Sequence, residues 1–310
     1  MTGAGGRLGR AMVTALADAP FTGLAGPIAW FRPEYDLDDL TAAARLVARD
    51  RPEVVVHTAA WTDVDGAALD PATALRRNGE ATAALAAACV ATGADLVVVS
   101  TNEVFDGNRV DGRPYAPNDT PQPPNPYGAS KLAGEVAARD VYQAATGAGQ
   151  LAIVRTAWLF GPGQPDFPTK ILVAAERARA TGEPLRVVND EFGSPTYVAD
   201  VADGIVELLG SGSFAGTHHL VNGGVASRAD WARLVLARAG VEIEAQDVPA
   251  STWPRPSVAP RWGVLEPTLL PSGEPLRPWQ DAMADYLPAL LRGWDKSRAA
   301  AAPAGRAGRR

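Results

Sequence analysis

Thr2-Gly3-Ala4-Gly5-Gly6-Arg7-Leu8-Gly9 opens the chain as T-G-x-x-G-x-x-G and runs straight into an amphipathic stretch at residues 8–17. A glycine-punctuated turn entering a helix is suited to a dinucleotide. Gly3 permits the tight turn, Gly6 lets backbone approach a pyrophosphate, and Gly9 allows close packing of the helix. The free N–H groups of the first helical turn face the anion, so Arg7 and Leu8 join the glycines as expected cofactor contacts. Glycine-rich turns also occur without ligands, so the pattern downstream has to carry the reading. Short β-prone runs at residues 28–31, 53–57, 95–100 and 151–156 alternate with helical runs at 8–17, 40–49, 71–91 and 126–145. That rhythm predicts βαβ units, hence an α/β protein with a Rossmann-type doubly wound parallel sheet. Leu96-Val97-Val98-Val99 is apolar on both faces, as a central strand covered by helices requires.

A turn of this kind should be fed by a buried strand, yet only Met1 precedes Thr2. The expectation is therefore a first strand that is missing or truncated, for which a GTG valine codon misread as the start is the simplest origin. Beyond about residue 165 the rhythm loosens, with candidate elements at 185–188, 198–209, 217–221 and 227–239. The predicted organisation is a cofactor-binding domain over 1–165 and a smaller, partly interleaved substrate lobe over 166–296. Residues 297–310, rich in Ala, Gly, Pro and Arg, read as a disordered tail. Six prolines, at 114, 117, 121, 123, 124 and 126, make residues 113–126 an irregular loop, expected to lie over a site.

The net charge of −6 gives no electrostatic reason for nucleic-acid binding. No apolar run is long enough to span a bilayer, so no membrane partner is expected. A single cysteine, Cys89, cannot form an intrachain disulfide, which fits a reducing cytoplasm. Cys89 itself reads as a small core side chain.

Where a dinucleotide fold often carries an acid for the ribose 2′-hydroxyl, this chain has Arg32 after Trp30-Phe31. A guanidinium suits a 2′-phosphate, which points to NADP(H) with NADH as the alternative. Asp36 and Leu37 are candidates for the adenine edge. Ala59, Ala60 and Thr62 are small residues at the end of the strand at 53–57, where a dinucleotide could lie against the sheet. His57 reads as a satisfied core histidine. Tyr127 and Lys131 are four residues apart in a helical run, so phenol and ammonium share one face. The ammonium is expected to lower the phenol pKa and ready it for proton transfer to a carbonyl oxygen. Ser100 and Thr101, at a strand's carboxyl end, add hydroxyls able to bind the same oxygen.

Several stretches taken in order resemble the extended short-chain dehydrogenases/reductases, and within them the dTDP-4-dehydrorhamnose reductase family. They are the glycine turn, Val54-Val55-Val56-His57-Thr58-Ala59-Ala60-Trp61-Thr62-Asp63, Ser100-Thr101-Asn102-Glu103-Val104-Phe105-Asp106-Gly107 and Asn125-Pro126-Tyr127-Gly128-Ala129-Ser130-Lys131. Arg155-Thr156-Ala157-Trp158, Asn189-Asp190-Glu191-Phe192-Gly193-Ser194-Pro195-Thr196 and His219-Leu220-Val221-Asn222-Gly223-Gly224 continue the match. The resemblance implies NADPH-dependent reduction of the C4 keto group of a dTDP-4-keto-6-deoxyhexose. Thr101, Tyr127 and Lys131 would then be catalytic, and Ser100, Tyr127 and Lys131 would also contact the cofactor. Asn102, Glu103, Trp158, Asn189 and, more loosely, Arg261 would bind substrate. No metal ligands are assigned, and a homodimer is left open. The family's Thr-Asp-Tyr stands here as Thr101-Asn102-Glu103, which puts the sugar in doubt. Related dehydratases carry Thr-Asp-Glu, but Asn102 cannot act as their carboxylic acid, so a dehydratase or epimerase is a weaker reading. The other alternative is a non-catalytic dinucleotide-binding subunit resembling the regulatory subunit of methionine adenosyltransferase, against which the intact Thr101, Tyr127 and Lys131 argue.

Overall fold

A computed structural model of the chain describes residues 1–163 and 165–301, with side chains through residue 294. Four strands, Val54–His57, Asp95–Thr101, Leu151–Thr156 and Gly216–His219, pair in that order, and all are parallel. Thr2 extends the sheet past Val54–His57 by parallel bridges to His57 on one side and Trp30 on the other. The chain thus leaves Thr2 for one neighbour and later crosses to the opposite one. Such a reversal opens a crevice at the carboxyl ends of the strands.

Alternation along each strand sends side chains to opposite faces. Val55, Leu96, Val98 and Ile153 enter one core with Leu46, Leu85 and Ala138 of the helices Ala42–Asp50, Ala81–Thr92 and Pro126–Ala144. Val56, Val97, Ala152 and Val154 enter a second with Met12 of Arg7–Asp18 and Ile205 of Val198–Gly210. The sheet is therefore doubly wound. A third core joins the helices Phe167–Thr181, Arg228–Arg238 and Trp279–Ala301 to the paired strands Leu185–Val188 and Ala245–Val248, around Leu172, Trp231, Val235 and Met283. Val198–Gly210 and Gly216–His219 return from this second half to the main sheet, so the two halves interleave. No helix among the described residues is long and apolar enough to cross a membrane.

The structure departs from the sequence reading at several places. Residues 28–31 form no strand, and Trp30 makes a single bridge. Its backbone pairs with Met1 and Thr2, while the Trp30 ring is buried in the first core: the Trp30 amide donates to the Met1 carbonyl at 2.8 Å, and the Thr2 amide to Val56 at 3.0 Å. The helix expected over 71–91 contains a π-helical turn at Leu75–Glu80 between Pro71–Ala74 and Ala81–Thr92. The proline-rich loop is irregular up to Pro126 apart from a bridge at Tyr115, and Arg109 and Arg155 donate to its Pro114 and Pro117 carbonyls. The helix Trp279–Ala301 continues into the segment expected to be unstructured, and residues 302–310 lie outside the described residues. His57 is a core residue: its ring is held by the Thr2 hydroxyl at 2.8 Å and the Thr82 hydroxyl at 3.2 Å. Burial pushes its pKa down to about 3. Cys89 is buried and free.

Candidate active site

Thr101 ends the strand Asp95–Thr101 at the sheet's carboxyl edge, and its hydroxyl accepts the Glu103 amide at 3.2 Å. That bond starts the short 3-10 turn Asn102–Val104. Next to this turn begins the helix Pro126–Ala144. Its N-cap Asn125 accepts the Gly128 amide at 2.8 Å, and Pro126 occupies the first turn, where a missing N–H costs nothing. Gly128 lies directly on the turn, since a Cβ there would stand 2.0 Å from the Glu103 carbonyl oxygen. Sequence reading missed this contact, although it fixes how close the Tyr127 helix comes to Thr101.

Tyr127 and Lys131 are 8% and 4% exposed and line the same cavity of about 550 Å³ as Ser100, Thr101, Asn102 and Glu103. The Lys131 ammonium donates to the Val99 carbonyl at 2.8 Å. Burial pushes its pKa down to about 8, with Glu135 opposing. The expected lowering of the phenol is not found. Burial, then the neighbouring Glu103 charge, push Tyr127 above its ordinary value, and a hydrogen bond with Thr101 only partly offsets them. The reason is local: the phenol is buried, the ammonium is bonded to strand backbone, and the charge acting on the phenol is the Glu103 carboxylate. A phenol of this kind stays protonated at neutral pH and can donate.

Glu103 is itself pushed up, chiefly by burial, while Asn125 donates to its Oε2 at 2.7 Å. The Asn102 side-chain amide donates to the Gly263 carbonyl at 3.1 Å and so ties the turn to the C-terminal half. Trp158 also lines the cavity. It takes a left-handed φ of 44°, and its ring stacks on Trp231 at 5.9 Å, with the Arg228 guanidinium 3.6 Å above it.

A second cavity of about 460 Å³ shares Gly6, Thr58 and Ala60 with the first. Gly3, Gly6, Arg32, Leu37, Ala59 and Ala60 line it, together with Tyr35 and Phe31, which sequence reading did not single out. Arg7, Leu8, Gly9 and Thr62 line the catalytic cavity, although the Arg7 guanidinium also donates to the Gly161 carbonyl and lies 3.6 Å from Asp166. The helix Arg7–Asp18 has Gly6 as its N-cap, without a side-chain cap and without an acid in its first turn, so its amides face this space. Asp36 lines neither cavity; its carboxylate accepts the Asp38 amide at 3.0 Å.

A third cavity of about 390 Å³ meets the catalytic one at Lys170 and Arg228 and adds Arg186, Arg255, Phe167 and Trp253. Asn189 and Arg261 line none of the three. The Asn189 amide pairs with Val248 at 3.1 Å, and Arg261, 73% exposed, pairs with Asp190 at 3.3 Å. Lys170 and Arg228, unlike Arg261, line the catalytic cavity. They sit on separate helices with no shared motif, so only tertiary packing brings them to Tyr127.

The family model described as "RmlD substrate binding domain" matches residues 1–292. The dTDP-4-dehydrorhamnose reductase of Streptomyces griseus is 38% identical over 301 residues, 94% of this chain and 93% of that protein. The dTDP-4-dehydrorhamnose reductase of Mycobacterium tuberculosis is 37% identical over 295 residues, 93% and 92%. Among solved structures, the dTDP-4-dehydrorhamnose reductase of Bacillus anthracis in complex with NADP superposes with a TM-score of 0.81 at 27% identity, covering 93% of this chain and 97% of that one.

Proposed function

This chain belongs to the RmlD substrate-binding-domain family, and from that premise we propose that it is an NADPH-dependent reductase of the C4 keto group of a dTDP-linked 4-keto-6-deoxyhexose. The observation that carries the reading is the meeting of Thr101, Tyr127 and Lys131 on one cavity that is continuous with the glycine-turn cavity. The residues present fit a dinucleotide. Uncapped helix amides would face the pyrophosphate, Ala59 and Ala60 leave room against the sheet, and Arg32 lines the same cavity, where its guanidinium would suit a 2′-phosphate. When bound, the reduced nicotinamide supplies hydride to C4. Thr101 and Tyr127 hold the carbonyl oxygen, and Tyr127 gives it a proton as charge develops there. Its raised pKa keeps that proton in place until then. Lys131 sits one helical turn away to bind the nicotinamide ribose. Lys170 and Arg228, shared by the catalytic and third cavities, would face a diphosphate, and Trp158 lines the catalytic cavity as a candidate sugar contact.

The test is to incubate the protein with NADPH and dTDP-4-keto-6-deoxyglucose, with and without a 3,5-epimerase, and follow NADPH oxidation. Tyr127→Phe keeps the ring and removes the proton, so kcat should fall by about 10² or more while NADPH affinity holds. Near-normal turnover of Tyr127→Phe would overturn Tyr127 as the proton donor, whereas NADPH binding without any turnover by the wild type would favour a non-catalytic binding subunit.

A further inference from the structure

Reduction of a ketone needs a hydride and one proton donor, and the proposed chemistry leaves one half-buried acid unused. Glu103 is the single carboxylate among the residues lining the catalytic cavity. Its placement is specific. It follows Thr101 on the turn at the strand end, and its carboxylate is tied through Oε2 to Asn125, the cap of the helix that carries Tyr127. Asn125 is itself anchored to the Val258 carbonyl at 2.8 Å. Oε1 makes no hydrogen bond among the described residues. A carboxylate here disfavours an anionic substrate and is costly to bury, so a role only in packing does not explain it.

Resting on the reductase reading above, we propose that Glu103 gives this site a second activity: reversible removal of a proton from a ring carbon next to the C4 ketone. The hydrogens beside a ketone are acidic, and Thr101 and Tyr127 already hold the oxygen that would carry the negative charge. Glu103 takes the proton from C3 or C5, and the C–H electron pair becomes the carbon–carbon π bond of an enolate. The carbonyl π pair moves to oxygen, which the Tyr127 hydroxyl binds. The acid formed on Glu103 exchanges with solvent and returns a proton to the same carbon. No oxidant, reductant or leaving group takes part. The same cavity thus handles two protons at two sites, with Tyr127 serving the oxygen and Glu103 the carbon. Arg228 and Arg255 favour the ionised base, while Glu191 and burial disfavour it, leaving the carboxyl above its ordinary range. A weak carboxylate acid of this kind is a stronger base once ionised.

The test is to place the full chain with dTDP-4-keto-6-deoxyglucose in D₂O without NADPH, and to follow deuterium entry at C3 and C5 by proton NMR and mass. The expected result is exchange above the protein-free rate at one ring carbon, rising with pH as Glu103 ionises. Glu103→Gln should slow it by about 10² or more, and Tyr127→Phe should also slow it by weakening the hold on the enolate oxygen. Retained NADPH binding and an unchanged melt show that Glu103→Gln is folded; if it is not, the pH profile and the Tyr127→Phe arm decide on their own. Exchange equal to the protein-free rate, or undiminished in folded Glu103→Gln, overturns the proposal. A wild type that oxidises NADPH without exchange overturns this inference and leaves the reductase standing. Exchange without NADPH oxidation supports the base and overturns the reductase.

Discussion

Gly128→Ala is a one-methyl change whose effect on catalysis follows from a single contact. The added Cβ would stand 2.0 Å from the Glu103 carbonyl oxygen, 2.8 Å from its carbonyl carbon and 3.0 Å from the Pro123 Cβ. Two of those three atoms are backbone and cannot rotate away. Ordinary contact requires about 1.4 Å more separation from the oxygen, so helix Pro126–Ala144 and turn Asn102–Val104 must move apart. Two energies oppose each other. Alanine is a better helix former by about 1 kcal/mol. Overpacking costs about 1–3 kcal/mol, and with a backbone partner the upper part of that range applies. A net destabilisation of about 1–2 kcal/mol should result. The effect on chemistry is larger than on stability, because Tyr127 is on the moving helix and Thr101 on the fixed strand. A displacement near 1 Å between groups that hold one oxygen costs about 10² in rate. Steady-state NADPH oxidation, with a urea melt of the same preparation, measures both. A Gly128→Ala enzyme with kcat within twofold of wild type would refute the claim that this contact sets the Tyr127–Thr101 geometry.

Arg32→Ala should weaken NADPH binding by about 1.5–3 kcal/mol and leave NADH nearly unchanged, as titration calorimetry with both nucleotides would report. Equal affinities of the wild type for the two would remove the 2′-phosphate argument. Lys131 has its pKa lowered to about 8 by burial, so its charge is present below that pH and lost above it. NADPH affinity should therefore hold below pH 8 and fall by up to about tenfold per pH unit above it, a dependence that Lys131→Met should flatten. The unliganded protein shows the opposite sign in stability. Between about 8 and 10.5 the unfolded chain keeps a proton that folded Lys131 has released, so this residue's contribution rises with pH across that window. Arg155 binds Glu135 through two bonds of 3.0 and 2.7 Å, with side chains 2% and 0% exposed. Arg155→Met should cost about 3 kcal/mol by removing the two-bond partner of the carboxylate, with Arg139 at 3.3 Å keeping part of its compensation, and Arg155→Met with Glu135→Leu should recover most of it in a urea melt.

Composition, periodicity and the glycine turn were sufficient for the doubly wound sheet, because each βαβ unit is specified locally by alternating and 3.6-residue patterns. The convergence of Tyr127 and Lys131 was legible for the same reason, since i and i+4 share a helix face. The strand expected at residues 28–31 was not formed, because a strand exists only with its neighbour, and sequence pattern reports propensity rather than partners. The phenol's pKa was misread because a helical spacing says nothing of what else surrounds the pair. Folding turned the Lys131 ammonium to the Val99 carbonyl and put Glu103 beside Tyr127. Asn189, Asp36 and Arg261 line none of the three cavities; Asp36 accepts the Asp38 amide and Arg261 pairs with Asp190. Arg228, Lys170 and the tight seat of Gly128 carried no local signal. Their roles arise where segments far apart in the chain are pressed together, and such proximity is a property of the packed tertiary structure alone.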